Sequence, residues 1–436
     1  MNSAFNYINE MNQLWFQHVP NEWGVKNLGH VSKMIVPMRD KPTSFKGNIP
    51  WVRIEDFDGK YISDSKSKQY VSKEIVKKMN LKVFPKGTVM CTCSCTMGAT
   101  AIVNTPLISN QTFIGIVPSE ELDSEYLYYL MQASADRLQM FSQGAIQQYL
   151  SRHDFEHLKI PLPSINNQKK IVVFLNNKLE YLDGLIQNKE NLIKLLEEKH
   201  QSLITEAVTK GLNQNMKMKD SGIEWVGEIP EHWESALLKR YCERITDGSH
   251  FSPEIIDEGF PYVTVKDIQK SKINVVDALK ISEDNYLELS KNGCRPQRGD
   301  VLLSKDGTIG KVAVVGNEDC VVLSSLAILT PNQLINSQYF AYWLRSKVNF
   351  DQMESYLAGA ALRRLTLQTI NKFKIIVPPI IEQLKIIEYL DKELNGLELC
   401  ISEVGIQIQK LKEYRQSLIY EAVTGKIDVR EFDKVQ

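Results

Sequence analysis

The residues best placed to do chemistry stand in one segment, Gly299-Asp300-Val301-Leu302-Leu303-Ser304-Lys305-Asp306-Gly307-Thr308-Ile309-Gly310-Lys311-Val312-Ala313-Val314-Val315. Two β-branched runs flank a polar, glycine-bounded turn presenting Ser304, Lys305, Asp306 and Thr308, types that hydrogen-bond to base edges or phosphate oxygens. It is not a nucleotide-binding phosphate loop, because Gly310-Lys311 runs into Val312 and no glycine sits at the required distance upstream. An ordinary hairpin remains the plain alternative. Two more polar segments could join it: Asp247-Gly248-Ser249-His250-Phe251-Ser252-Pro253, which also reads as a simple Asp-Gly turn, and Gly359-Ala360-Ala361-Leu362-Arg363-Arg364-Leu365.

An earlier part of the chain carries counterparts of these segments with different chemistry. Gly144-Ala145-Ile146-Gln147-Gln148-Tyr149-Leu150 stands in the frame of residues 359–365. Gln pairs with adenine and Arg with guanine in a major groove, so Gln147 and Gln148, beside Tyr149, against Arg363 and Arg364 is a swap of Gln for Arg able to alter what is read. Exposed polar residues without a partner are the competing reading. The counterpart of the glycine-bounded turn is Cys91-Thr92-Cys93-Ser94-Cys95-Thr96-Met97-Gly98. Alternate cysteines on a strand give poor geometry for one zinc ion without a second cluster, so no metal site is expected. Seven cysteines fit a reducing compartment rather than a disulfide framework.

These counterparts belong to an internal duplication. Trp15, Val19-Pro20 and Trp23 recur as Trp225, Ile229-Pro230 and Trp233. Gly87 and Gly98 recur as Gly299 and Gly310, Tyr126 as Tyr339, and Gln168 as Gln383. Each copy opens with about 150 residues of short strands and turns broken by one helical stretch, an α+β pattern. Each then runs into a long helix entered at Pro161 and Pro163, or at Pro378 and Pro379, and left at Gly211 or Gly425.

In the first helix Leu175, Leu179, Leu182, Ile186, Lys189, Ile193, Leu196, His200, Leu203 and Ala207 form a heptad seam. In the second, Leu390, Leu394, Leu397, Ile401, Val404, Ile408, Leu411, Arg415, Leu418 and Ala422 repeat it. Such a stripe needs a partner, and the other copy is the obvious one. Because the link from the first helix to the second globule is short, the predicted pairing is an antiparallel coiled coil of about 60 Å with pseudo-twofold symmetry. Packing of each helix on its own globule, or on another protein, is the alternative. The repeat is circular, since the chain ends about where its beginning takes up.

Composition sets further bounds. A hydrophobic content of 43% is that of a chain able to bury real cores, and no stretch approaches the roughly 20 apolar residues of a membrane span. No secretory signal is recognisable, so the expected location is cytoplasmic. A net charge of -1 excludes strong nucleic-acid binding by the chain alone, so any such binding is local or shared with a partner. Catalytic motifs are missing: there is no His-Glu-x-x-His, Val377-Pro378-Pro379-Ile380 lacks both ends of an amino-methyltransferase motif, and Glu197-Glu198-Lys199 lacks a partner carboxylate. The chain is not expected to be an enzyme.

Three features carry a family resemblance: the central Lys217-Met218-Lys219-Asp220-Ser221-Gly222-Ile223-Glu224-Trp225-Val226-Gly227-Glu228-Ile229-Pro230-Glu231-His232-Trp233, the Gly299 to Lys311 segment, and the two helices. The helices share the ending Gln-Ser-Leu-Ile-x-Glu-Ala-Val-Thr at residues 201–209 and 416–424. Over essentially its whole length the chain resembles the specificity subunit of Type I restriction-modification systems. The resemblance implies two target recognition domains, at residues 1–163 and 212–378, with long helices at 164–211 and 379–426. It implies a bipartite, gapped double-stranded DNA site contacted by Ser304, Lys305, Asp306, Thr308, Arg363, Arg364, Gln147, Gln148, Tyr149, Ser249 and His250. It also implies docking of two methyltransferase subunits through Gln201, Glu206, Gln416 and Glu421, with restriction and translocase subunits joining for cleavage. S-adenosylmethionine, ATP and Mg are then needed by those partners, and this chain holds no cofactor and no metal. The first copy departs from the family-like turn Ser304-x-x-Gly307-x-x-Gly310, with Thr92, Cys95 and Gly98 in that frame. A coiled-coil scaffold whose globules bind proteins is the rival from another class.

Overall fold

The computed structural model describes residues 15–16, 19–37, 40–93, 98–135, 138, 150–213, 215–357 and 363–429. The chain divides into two compact units, one of residues 1–189 with 406–436 and one of residues 190–405. Both boundaries fall inside the long helices, Ile165–Lys210 and Ile380–Val423. Each unit therefore holds one globule, the start of its own helix and the end of the other copy's helix.

The first unit is built on a five-stranded sheet in the order Ser32–Ile35, Phe113–Pro118, Val89–Thr92, Thr100–Val103, Tyr61–Ile62, antiparallel except for its last pair. Val89–Thr92 sits mid-sheet and is buried at all four positions, as expected of a continuous β-branched and apolar run covered on both faces. A three-stranded sheet of Tyr70–Val71, Ile49–Val52 and Ile108–Ser109 and a pair joining Gly24–Asn27 to Lys159–Leu162 complete the strands named in this unit. Helix Ser124–Ala133 starts at Asp123, whose carboxylate accepts from the amides of Glu125 and Tyr126, and buries Tyr126, Leu127 and Leu130.

The second unit repeats this plan. Its four-stranded sheet runs Cys242–Asp247, Leu326–Pro331, Val301–Ser304, Val312–Val314, and its three-stranded sheet Leu279–Ile281, Phe260–Val263, Val321–Val322. Glu234–Leu237 pairs with Lys374–Val377. The corresponding helix, Ser337–Arg345, is capped by Asn336. The single helical stretch expected here breaks at Ser346, after which Lys347–Leu357 forms a second helix.

The heptad seam is buried at the start of the first helix and at both helix ends, and is half-buried at Ile193, Leu196, Leu397 and Ile401 between them. Leu175, Leu179, Leu182 and Ile186 of the first helix are under a tenth exposed, as are Leu390, Leu394, Val404 and Ile408 of the second. In the first unit Arg415 Nε lies 2.8 Å from Asp183 Oδ1, and Lys189 Nζ donates to Gln407 Oε1 at 2.6 Å. Partner numbers fall as helix numbers rise, so the helices run antiparallel. In the second unit His200 Nε2 approaches Glu398 Oε1 at 3.8 Å, and Leu203 joins the core that contains Leu390 and Leu394.

What holds each helix end is the repeated ending. Ile204, Ala207 and Val208 enter the core of the second unit, while Leu418, Ile419, Ala422 and Val423 enter that of the first. The Tyr339 hydroxyl is near the carbonyls of Val208 and Ile376, at 3.3 and 2.9 Å. The Tyr126 hydroxyl is placed the same way against Val423 and Pro161, at 3.0 and 3.1 Å. Gly211 and Gly425, both at φ +74°, end the helices; a Cβ on Gly425 would sit 2.4 Å from Pro20 Cδ, and one on Gly211 3.1 Å from Trp233 Cζ2. The packing of Gly425 on Pro20 and Trp23 thus matches that of Gly211 on Pro230 and Trp233.

Helix starts are fixed by a second matched device. Gln383, fully buried, accepts from the Asn336 amide and donates to the carbonyls of Leu334 and Pro378. Gln168 does the same with Asp123, Glu121 and Pro163. Gln383→Leu strands three backbone groups away from water and is expected to destabilise the second unit by about 3 kcal/mol, read as an earlier midpoint in denaturant unfolding.

At His200, burial and then the Arg345 charge hold the imidazole pKa below its usual 6.5, with Glu398 pulling the other way. The unfolded chain binds that proton more readily than the folded one. Stability is therefore full above about pH 6.5 and declines as pH falls through that value toward the folded pKa. In thermal melts at about pH 7.5 and about pH 5.5, His200→Leu is expected to show a smaller acid loss than the unsubstituted chain.

Candidate nucleic-acid interface

The glycine-bounded turn is a hairpin with Val301 paired to Val314 and Leu303 to Val312. Ser304 closes it from inside. Its hydroxyl donates to the Thr308 carbonyl at 2.6 Å and accepts from the Lys311 amide at 2.8 Å, and the residue is fully buried. Lys311 then turns inward, its ammonium donating to the carbonyls of Val265 and Ile268 at 3.0 Å each. The tip leaves Gly307 and Thr308 exposed.

Backbone contacts bring the other two polar segments to this hairpin. The Lys305 amide donates to the Ser325 carbonyl, and the Leu365 amide donates to the Lys305 carbonyl, both at 2.9 Å. The Asp247 turn reaches the same strands through Gly248 and Ser249, whose amides donate to Leu326 and Val322. Only glycine fits at 248, because a Cβ there would lie 2.0 Å from the Val322 carbonyl oxygen. Three segments some 60 residues apart in sequence thus meet at one edge of the second globule.

Charges tie this edge together. Lys305 is 2% exposed, with its ammonium 3.2 Å from Asp247 Oδ2 and 3.8 Å from Asp306 Oδ2. His250 approaches the same Asp247 oxygen at 3.2 Å. Arg364 Nε lies 3.1 Å from Asp306 Oδ2, and Arg363 is held by both carboxylate oxygens of Glu354 at 2.6 and 2.7 Å. A buried ammonium is tolerated because carboxylates offset its desolvation. Beside the hairpin tip a cleft is lined by Thr264, Lys266, Asp306, Gly307, Thr308 and Ser325.

The expected contact residues accordingly divide. Asp306, Thr308, His250 and Arg364 present polar groups at the surface of this edge. Ser304 and Ser249 do not: each hydroxyl is spent on its own turn, Ser249 bonding to the amide and carbonyl of Phe251, and both residues are buried. Lys305 is likewise inside, neutralised by its neighbours, whereas Arg363 is exposed and paired to Glu354 through Nη2. Ser304, Ser249 and Lys305 shape the edge rather than reach from it. Asp247 and Glu354 are the partners that sequence reading missed, since their types were visible and their register was not.

In the first globule the frame is the same and the buried lysine–aspartate pair is gone. Cys93 holds the Lys305 position: it too is 2% exposed, its amide donates to Thr112 and its carbonyl accepts from Leu150. The strand position of Asp247 is taken there by Val36. Ammonium and carboxylate are thus replaced together, as the penalty for an unpaired buried charge requires. Burial pushes the Cys91 thiol up to about 12, against an opposing hydrogen bond from Thr100, which makes it a packing residue. Gln147, Gln148, Tyr149 and Cys95 lie outside the described residues. No group of three or more His, Cys, Asp or Glu side chains suited to a metal occurs among the described residues, and no helix among them is long and apolar enough to cross a membrane.

The expected docking residues divide as well. Gln201 donates to the Arg345 carbonyl at 2.8 Å and Gln416 to the Gln132 carbonyl at 3.1 Å, so both cap the end of a globule helix in their own unit instead of facing outward. Glu206 is exposed. Glu421 is half-buried and accepts from the Ser417 hydroxyl at 3.2 Å.

Comparison with known proteins follows this duplicated plan. Residues 20–196 and 230–403 each match the family described as Type I restriction modification DNA specificity domain. The MjaIX specificity subunit of Methanocaldococcus jannaschii is 27% identical, with 98% of each chain covered. The EcoBI specificity subunit of Escherichia coli is 21% identical, covering 88% of this chain and 81% of its own. A solved structure described as "Structural basis underlying complex assembly and conformational transition of the type I R-M system" shares the fold, with a TM-score of 0.70 at 19% identity over 94% of this chain and all of the other. With both globules and most of both helices inside the two matches, the chain belongs to the Type I restriction-modification DNA specificity family and carries that domain twice.

Proposed function

We propose that this chain is the sequence-reading subunit of a Type I restriction-modification complex, recognising a bipartite, gapped site on double-stranded DNA. The observation that carries the reading is the duplication itself: two complete specificity globules in one chain, joined by helices that pair antiparallel. Two heads of one design with different loop chemistry suit a site made of two unlike halves. In the second globule Asp306, Thr308, His250 and Arg364 face the DNA. In the first, Gln147, Gln148 and Tyr149 occupy the frame of 362–364 and serve the other half-site.

The near-neutral charge supports the rest. A chain with 52 basic and 53 acidic residues releases few counterions on its own, so methyltransferase subunits supply most phosphate contacts. They dock on the paired helices, where Glu206 is available, with Glu421 at the corresponding place. Catalysis belongs to the partners: S-adenosylmethionine to the methyltransferase, ATP and Mg to the restriction and translocase subunit. The assembly works in the cytoplasm.

Two constructions test this reading through methylome sequencing of cells holding the complete system. Exchanging residues 221–375 for those of another family member leaves both long helices intact and is expected to change one half-site only. Inserting four residues in each long helix, about one turn, is expected to change the non-specific spacer and keep both half-sites. Altered half-sites after the insertion would overturn the role of the helices as a ruler, and methylation without a defined motif would overturn sequence reading altogether.

A further inference from the structure

The two adjacent arginines at the edge of the second globule are held in different ways. The Arg363 guanidinium meets both oxygens of Glu354 through a single nitrogen, Nη2, in an ion pair at the exposed surface of its own globule. Arg364 is gripped at Nε alone, 3.1 Å from Asp306 Oδ2, with its side chain 45% exposed. Its two terminal amino groups have no other partner among the described residues.

The grip on Arg364 is itself anchored in the interior. Asp306 sits against the ammonium of Lys305, which is buried and also bound to Asp247. The Leu365 amide fastens the arginine segment to the Lys305 carbonyl. A carboxylate on Nε leaves the two-nitrogen end of the guanidinium projecting as a rigid pair of donors. Guanine offers the matching pair of acceptors, N7 and O6, on its major-groove edge. Pre-ordering matters because a free arginine side chain loses roughly 2 kcal/mol of rotamer entropy on being fixed.

Resting on the reading of this chain as a sequence-reading subunit, we infer that Arg364, oriented by Asp306 and the buried Lys305 behind it, reads one guanine in the half-site of the second globule. Asp306 is then a positioning residue, and Arg363, paired to the surface carboxylate of Glu354, lacks that interior anchor. In sequence the first copy has Cys93, Ser94 and Tyr149 in these places, so the device serves one half-site only.

The test uses the chain assembled with its methyltransferase subunits, whose motif is first mapped by methylation. Binding is then measured at fixed salt on duplexes carrying 7-deazaguanine, which lacks the N7 acceptor, at each guanine of the second half-site in turn. At one position the analogue is expected to weaken the unsubstituted complex by about 5- to 150-fold and to have no effect on Arg364→Ala. Arg364→Lys keeps the charge without the fork and is expected to lose discrimination at that position, Asp306→Asn to reduce it there, and Arg363→Ala to retain it. Undiminished recognition of the first half-site by each variant reports correct folding. Equal weakening of every duplex by Arg364→Ala, with a salt slope lower by about one, would mark a phosphate contact and overturn the inference while leaving the function intact. An Arg364→Ala complex that still senses the analogue would overturn it as well. Failure of the unsubstituted complex to prefer any sequence would instead refute the function.

Discussion

Everything in this chain depends on the burial of each long helix's last turns in the globule of the other copy. Ile204, Ala207 and Val208 complete one core and Leu418, Ile419, Ala422 and Val423 the other, and a buried tyrosine hydroxyl, Tyr339 or Tyr126, reaches a carbonyl at each helix end. The first compact unit is therefore not a contiguous stretch of chain, since it takes in residues from 406 onward, and the second, the continuous run 190–405, includes the end of the first copy's helix. Hydrophobic burial of this kind is non-directional; the tyrosine hydroxyls and the glutamines at the helix starts supply the direction. Together they fix where each helix begins and ends against a globule, which a seam of leucines alone would leave free to slide.

The edge that carries the polar loops is organised by a different force. A lysine placed at 2% exposure demands carboxylates, and Asp247 and Asp306 answer from two separate loops. That demand draws the hairpin, the Asp247 turn and the arginine segment into one place, so a buried charge does in the second globule what plain packing of Cys93 does in the first. The two globules share matched scaffold hydrogen bonds at Gln168 and Gln383 and at Tyr126 and Tyr339, while the chemistry at their loop edges differs. Stability and specificity are thereby assigned to separate residues, which lets one vary without loss of the other.

Much of this was legible in the residues because it is periodic or repeated. The heptad seam, the entry prolines, the exit glycines and the Trp23 and Trp233 frame follow from local rules of helix geometry and capping. The polar turn at residues 304–308 was recognisable because glycines bound it and β-branched runs flank it. Site membership was legible only by residue type. Ser304, Ser249 and Lys305 have side chains suited to contacting DNA and are turned inward, and Gln201 and Gln416, in the most conspicuous shared motif of the chain, cap their own units.

The sequence by itself determined that there are two copies of one fold, where their helices start and stop, and which segments carry polar chemistry, since each is set by interactions between residues close in the chain or by direct repetition. Only the tertiary structure decided which of those polar groups are spent internally and which are left at the surface. Lys305 meets Asp247 from 58 positions away, and the Leu365 amide meets the Lys305 carbonyl from 60. Such pairings depend on how strands are ordered in a sheet, and strand order is a property of the folded core that no local spacing encodes.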